Sequence, residues 1–284
     1  MKVVLKLLKT ELWKAFHNWL FYTAILIGTI LSLVYAIEIW REVMPRIREV
    51  LAMEGEKVIR KSVDGFALAQ LWMGVANCTG ASTVFYMIWP LLTAMPYSWS
   101  YWKEKRDGVA DQIMMQCGRK QYFAAKYLAV LISGGTVVFW IYLISFMMNA
   151  TFLKMSFPSF DSSAIHHGCV LSGMYFTHPY LYCILIMFIC AFYGGVAACL
   201  SFLPGSKPRF QVVPMMTPYV LLMGYDLVLQ YLRVQRLVPV SPLFLIQMDV
   251  GVPTYIFLIA LALLIAISSI GGYFHIAKKR GKNA

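Results

Sequence analysis

Charged side chains are scarce in this sequence, and acidic ones scarcer still: 13 Asp and Glu stand against 25 Lys and Arg, and charged residues make up 13% of the chain against 60% hydrophobic. A soluble domain carries roughly 25% charged and about 45–50% apolar residues, so this composition excludes an ordinary water-facing globule. The six cysteines do not form a disulfide framework. Cys183, Cys190 and Cys199 fall within one apolar run and Cys117 in a basic loop, which leaves only Cys78 and Cys169 near a common outer face for a bridge. The thiols read as small, polarisable filler.

Catalytic signatures are missing too. There is no Gly-x-x-x-x-Gly-Lys-Ser/Thr phosphate loop; Gly281-Lys282 is followed by Asn283 and has no strand before it, so the chain is not expected to bind ATP by that route. There is no His-Glu-x-x-His. His166, His167 and His178 share a segment with Asp161 and have the side chains to hold a metal, but such interfacial histidines more often have no such role, and no metal site is assigned. Ser133-Gly134 and Ser172-Gly173 lack a nucleophile context, and the triplets Asn77-Cys78-Thr79 and Asn149-Ala150-Thr151 lie hard against a membrane face, where chance accounts for them. No repeat or low-complexity tract is present. The reading is of a chain that is not itself an enzyme.

What the sequence does have is long apolar runs. Six stand out: Trp19–Ile39, Gly80–Tyr97, Tyr127–Asn149, Tyr180–Leu203, Val212–Tyr231 and Thr254–His275. Runs of about 18 or more residues with few charges read as helices crossing a hydrocarbon core ~30 Å thick. The predicted fold is therefore an all-α integral membrane protein of six transmembrane helices, one transmembrane domain over residues 1–284. With the N-terminus inside, the inner segments hold 16 of the 25 basic residues, among them Lys2, Lys6, Lys9, Lys14, Lys103, Lys105, Arg106, Arg119, Lys120 and Lys126, and only four acids, Glu11, Glu104, Asp107 and Asp111. The positive-inside rule then places both termini in the cytoplasm. The formal net charge of +12 reads as a basic membrane face, with no nucleic acid as partner.

The flanking segments have their own patterns. In residues 1–18, Leu5, Leu8, Leu12, Phe16 and Trp19 recur every three or four positions, with Lys2, Lys6, Lys9 and His17 on another face. This predicts an amphipathic helix lying at the membrane interface; the alternative is an ordinary basic flank of the first span. No cleavable signal peptide is expected, because the first apolar run is too long and lacks a small-residue cleavage site. Residues 41–76 alternate charges densely and are expected to prolong the first span outside the membrane as a helix broken near Gly55. Residues 232–253 carry Pro239, Pro242 and Pro253 around an apolar run, Leu243–Ile246, and are expected to form an outer apolar hairpin dipping back towards the bilayer.

Two acids interrupt apolar runs. Asp226 lies deep in the fifth and Glu38 near the outer end of the first. A charge there costs at least a few kcal/mol unless it faces protein or water. Either they line a translocation path or carry a coupling proton, or Asp226 is paired with Arg233 or with hydroxyls of a neighbouring helix.

The stretch from Tyr97 to Lys126 is the one that lipid does not explain. An aromatic belt, Tyr97-Ser98-Trp99-Ser100-Tyr101-Trp102, closes the second run. Glu104 to Gln116 is predicted as a short amphipathic helix, with Val109, Ile113 and Met114 opposite Asp107, Asp111 and Gln112, ended by Gly118. A helix lying along the membrane with one polar face suits a groove on a soluble partner.

Glu104-x-x-x-Gly108, an apolar helical turn, Arg119 and Lys126 resemble the cytoplasmic signature of membrane permeases of type-2 ATP-binding cassette (ABC) exporters, which runs Glu-x-x-x-Gly-Thr, Leu-Leu, Pro, Arg and Lys. Val109 stands where Thr is usual and Gly118 where Pro is common. The order of elements along the chain is similar to that family as well. The resemblance implies that Glu104, Arg106, Gly108, Val109, Gln112, Ile113, Met114 and Arg119 belong to a coupling helix docked on a separate ATPase subunit, which would bind the ATP and magnesium; no cofactor is expected in this chain. It implies residues 1–18 as a connecting helix, a second permease subunit in a homo- or heterodimer, a path along spans one, two and five, and export of an amphipathic peptide, drug or lipid across a bacterial plasma membrane. The competing readings are an ion-coupled secondary transporter using Asp226, for which no inverted repeat is found, and a membrane assembly subunit that transports nothing.

Overall fold

The computed structural model of the chain describes residues 2–52, 68–75, 79–153, 169–204, 210, 212–231, 241–247 and 253–277. Regular structure among these residues is helical; their isolated β-bridge pairs Cys169 with Pro253. Four helices, Trp19–Glu49, Arg119–Ala150, Pro179–Phe202 and Val212–Leu229, are long and apolar enough to cross a membrane, and Gly80–Ala94 and Thr254–Ile270 are shorter apolar helices. This is the make-up of an all-α membrane protein.

In chain order, α1 spans Lys2–Phe16 and α2 Trp19–Ala52. The second helix continues well past Ile39, through Pro45, as the charge-rich segment after it predicts; the expected break at Gly55 lies outside the described residues. After the short α3 (Leu68–Leu71), α4 occupies Gly80–Ala94. Its start is fixed by side chains that satisfy backbone donors at a helix N-terminus. Thr79 accepts from Ser82 N, Ser82 Oγ accepts from Thr79 N at 3.2 Å, and Glu38 of α2 accepts from Ala81 N at 3.1 Å.

The loop expected to hold one helix holds two, α5 (Ser100–Arg106) and α6 (Val109–Cys117). Gly108 separates them with φ +77°, a left-handed conformation that a side chain disfavours. Gly118, at φ +80°, ends α6 as expected. The 32-residue α7 (Arg119–Ala150) follows, then α8 (Ser172–Thr177) and α9 (Pro179–Ala198), which tightens into a 3-10 turn at Cys199–Phe202. The chain ends in α10 (Val212–Tyr231), α11 (Pro242–Gln247) and α12 (Thr254–Ala277).

Helix α7 is the axis of the bundle, packed against α1, α2, α4 and α9. Small residues bring α7 and α9 together. A Cβ on Gly135 would stand 2.7 Å from Ala191 O, one on Gly195 would collide with Leu131 O, and one on Gly134 would meet Thr93 O of α4 at 2.8 Å. Where lipid is as apolar as leucine, helices associate by such close backbone packing.

Of the segment expected to form an apolar hairpin, the structure describes Ser241 to Gln247, which includes α11, and Pro253. Leu245, Ile246 and Gln247 are buried, and the Ile246 carbonyl accepts from Tyr142 OH of α7 at 2.7 Å and from Cys190 Sγ of α9 at 3.4 Å. The short helix thus enters the bundle and has its carbonyl satisfied there, the condition for irregular backbone at membrane depth.

Candidate functional site

At the end of the bundle where α1, α5 and α6 gather, a second apolar cluster forms around Tyr97, Tyr101, Trp102, Tyr122, Phe123 and Phe202. Helix α1 lays its leucine face on this cluster through Leu8, Leu12 and Ala15. The face read as meeting the membrane interface is thus turned in part towards protein, because the aromatic belt of residues 97–102 offers it an apolar seat.

Inside the cluster lies Lys126, from the first turns of α7, fully buried. Its ammonium donates to Glu104 Oε1 at 2.8 Å, Ser100 Oγ at 2.9 Å and Tyr97 OH at 3.2 Å, and forms a close ion pair with Glu11 Oε2. The rings of Tyr97 and Tyr122 lie 4.9 and 5.8 Å from the same nitrogen. Lys14 of α1 adds a second cation, 3.2 Å from both Glu11 Oε1 and Glu104 Oε1. Tyrosine hydroxyls add to these contacts: Tyr97 OH donates to Glu11 Oε2 at 2.5 Å and Tyr122 OH to Glu104 Oε2 at 2.6 Å.

Two carboxylates and two ammonium groups therefore balance, held by hydroxyl donors, where a lone buried charge would be expensive. Burial alone would push the Glu104 carboxyl up; the Lys126 charge and hydrogen bond, with those of Tyr122 and Lys14, overcome it and hold Glu104 below the usual carboxylate range. Lys14 is desolvated in turn, but Glu11 and Glu104 beside it raise its pKa above the ordinary lysine value. The network ties α1, the end of the second apolar run, α5 and α7 into one unit.

The expected docking residues divide. Glu104 faces inward as part of the network. Arg106 is exposed and pairs with neighbouring Asp107 at 3.3 Å. On α6, Ala110 is buried and Ile113 and Met114 pack half-buried against the cluster, while Val109, Asp111, Gln112, Met115 and Gln116 are exposed. Val109, in the first turn of α6, is exposed and does not join Ile113 and Met114 on the cluster, because the aromatic cluster covers α6 at Ala110 and a turn further on, not at its start. Arg119 is half-buried at the start of α7. Met115, 80% exposed, is the most prominent apolar group on α6.

Glu38 and Asp226 stand apart from this network. Glu38 caps α4, as described above. Asp226 is buried in α10 and accepts a short hydrogen bond from Ser241 Oγ, which precedes α11. That is the hydroxyl pairing read as one alternative for it; Arg233, the other, lies outside the described residues. So do His166, His167 and Asp161, and the Cys78 half of the possible bridge. Cys117, Cys169, Cys183, Cys190 and Cys199 are free thiols, and no group of three potential metal ligands occurs among the described residues.

An apolar cleft of about 310 Å³ opens between α10 and α12. Leu221 and Tyr225 of α10 face Leu263 and Ile267 of α12, with Tyr193 and Leu245 on its floor. The buried Tyr193 hydroxyl has no hydrogen-bond partner among the described residues.

Sequence reading missed Glu11, Lys14, Tyr97, Ser100 and Tyr122 as site residues. One signal was available for Glu11: it is the sole acid in the first 37 residues, lodged in a helix whose other side chains, Thr10 apart, are basic or apolar.

No family model matches this chain, no curated protein matches it, and no solved structure matches it.

Proposed function

We propose that this protein is the permease subunit of an ABC exporter, a six-span membrane protein with both termini in the cytoplasm of a bacterial cell, driven by an ATPase on a separate subunit. The observation that carries the reading is the mounting of α6. One side of this helix is fixed on the aromatic cluster by Ala110, Ile113 and Met114; the other presents Val109, Gln112, Met115 and Gln116 to a partner. Directly behind it, the Lys126 network joins α1, α5 and α7. A push on α6 therefore reaches a long apolar helix without passing through a loose loop.

In this reading the ATPase dimer closes on ATP and its differential contact with α6 biases the permease between two states. A second permease subunit completes the transporter. The apolar cleft between α10 and α12 supports a substrate with a large apolar part, an amphipathic peptide, drug or lipid, since small-molecule sites have mostly apolar walls. The rival reading, ion coupling through Asp226, rests on a buried carboxylate that already has a hydroxyl donor.

The test is affinity purification from the native membrane in mild detergent, scored for a co-purifying protein that has a phosphate loop and hydrolyses ATP. A second bait carries Gln112→Arg with Met115→Glu, both on the exposed side of α6. Recovery by the unaltered chain and loss with the variant supports the reading. A folded, monodisperse bait that brings down no ATPase refutes it.

A further inference from the structure

Helix α1 sorts its charges by side. Its single acid, Glu11, is buried and neutralised by Lys126 and Lys14. Lys6, Lys9, Trp13 and His17, at helical spacing, form the opposite stripe, and all four are exposed. Leu5 stands beside it, 58% exposed, and Trp13 is 64% exposed. The stripe is thus cationic, with apolar groups at its centre and edge, and no acid shares it.

The stripe is also placed at a definite level. Two residues, His17 and Asn18, separate the end of α1 at Phe16 from the start of α2 at Trp19, so α1 ends beside the first turn of a helix long and apolar enough to cross a membrane. That first turn carries Trp19 and Tyr22, 76% and 53% exposed, and aromatic residues of this kind settle at the headgroup level of a bilayer. His17 stacks on Trp13 at 4.6 Å, which holds the indole on the outward side.

We propose that this face of α1 is a binding surface for anionic phospholipid headgroups. Lys6 and Lys9 meet the phosphates by charge complementarity, and Trp13 and Leu5 enter the boundary between headgroups and acyl chains. A basic stripe at the level of the headgroups attracts an anionic leaflet, strongly enough that each lysine counts. The acid that would oppose the attraction is withdrawn into the Lys126 network. Anionic lipid thus favours the position of α1 that keeps this network closed. The proposal rests on the membrane location of the chain and needs neither the permease reading nor an ATPase.

The test uses the full-length chain in phosphatidylcholine bilayers with trace spin-labelled phosphatidylglycerol or spin-labelled phosphatidylcholine, no partner present. The expected result is preferential association of phosphatidylglycerol, reduced by about five-fold for each of Lys6→Gln and Lys9→Gln and weakened by salt. Trp13→Ala lowers association of both lipids and leaves their ratio unchanged. Lys120→Gln, an exposed lysine at the start of α7, is the control and keeps the preference. Equal association of the two lipids with the unaltered chain overturns the proposal. So does a preference that survives Lys6→Gln/Lys9→Gln, or one lost equally with Lys120→Gln, in protein whose thermal unfolding is unchanged.

Discussion

Lys126 Nζ stands 2.8 Å from Glu104 Oε1, and the lysine side chain is only 1% exposed. An ammonium so placed is sustained by its partners, since removing one member of a buried pair leaves an uncompensated charge. Lys126→Met leaves Glu11 and Glu104 to share Lys14 alone, with one carboxylate charge uncompensated. The expected loss is about 3–5 kcal/mol of stability, read as a lowered unfolding temperature in detergent. Lys120→Met, on an exposed position nearby, is expected to change it by less than about 0.5 kcal/mol.

Acid should act through Glu104. Its folded pKa lies below the ordinary value, so its contribution is present above the unfolded pKa, near 4.3, and is lost as pH falls through the folded pKa. Stability should thus decline from about pH 5 downward. Glu104→Gln should reduce that acid-side slope while lowering stability at neutral pH, both measured by thermal unfolding across a pH series. Lys14 acts with the opposite sense. Its raised pKa gives stability that is present below the unfolded lysine value and lost as pH rises through the folded one.

Helix crossing should be sensitive to single methyl groups. Gly195→Ala places a Cβ against the Leu131 carbonyl, whereas Gly173 has nothing within 4 Å of the corresponding position. Overpacking costs about 1–3 kcal/mol. Gly195→Ala is expected to lower the unfolding temperature accordingly, and Gly173→Ala to leave it nearly unchanged.

The turn before α6 asks for a backbone rather than for space. Gly108 has φ +77° and open surroundings, so Gly108→Ala costs about 1 kcal/mol through conformation alone. Gly108→Asn should cost less, because asparagine tolerates the left-handed region. Proteolysis of the 98–118 segment in the folded protein measures the difference: Gly108→Ala should be cut faster than Gly108→Asn.

Much of this architecture was legible because membrane helices announce themselves locally. All six apolar runs hold helices, four of them long and apolar enough to cross a membrane and two shorter, and Gly118 ends α6 where a glycine stop is expected. The pairing of Glu11 with Lys126 was not legible, because it joins residues 115 positions apart and leaves no periodic trace. Glu104 had been read from its motif as a docking residue, yet it points inward; a sequence pattern gives spacing, not the side on which a partner lies. The division of residues 104–116 into α5 and α6 depended on one positive φ at Gly108, which a continuous amphipathic pattern conceals.

The central claim, that the exposed side of α6 meets an ATPase, is tested most directly by site-specific photo-crosslinking in the native membrane. A benzoylphenylalanine replaces Met115, which is 80% exposed, or Ala110, which is buried on the same helix. An adduct is expected between position 115 and a phosphate-loop ATPase, and none from position 110. An unmodified chain at position 115, in protein that is folded and inserted, would contradict it.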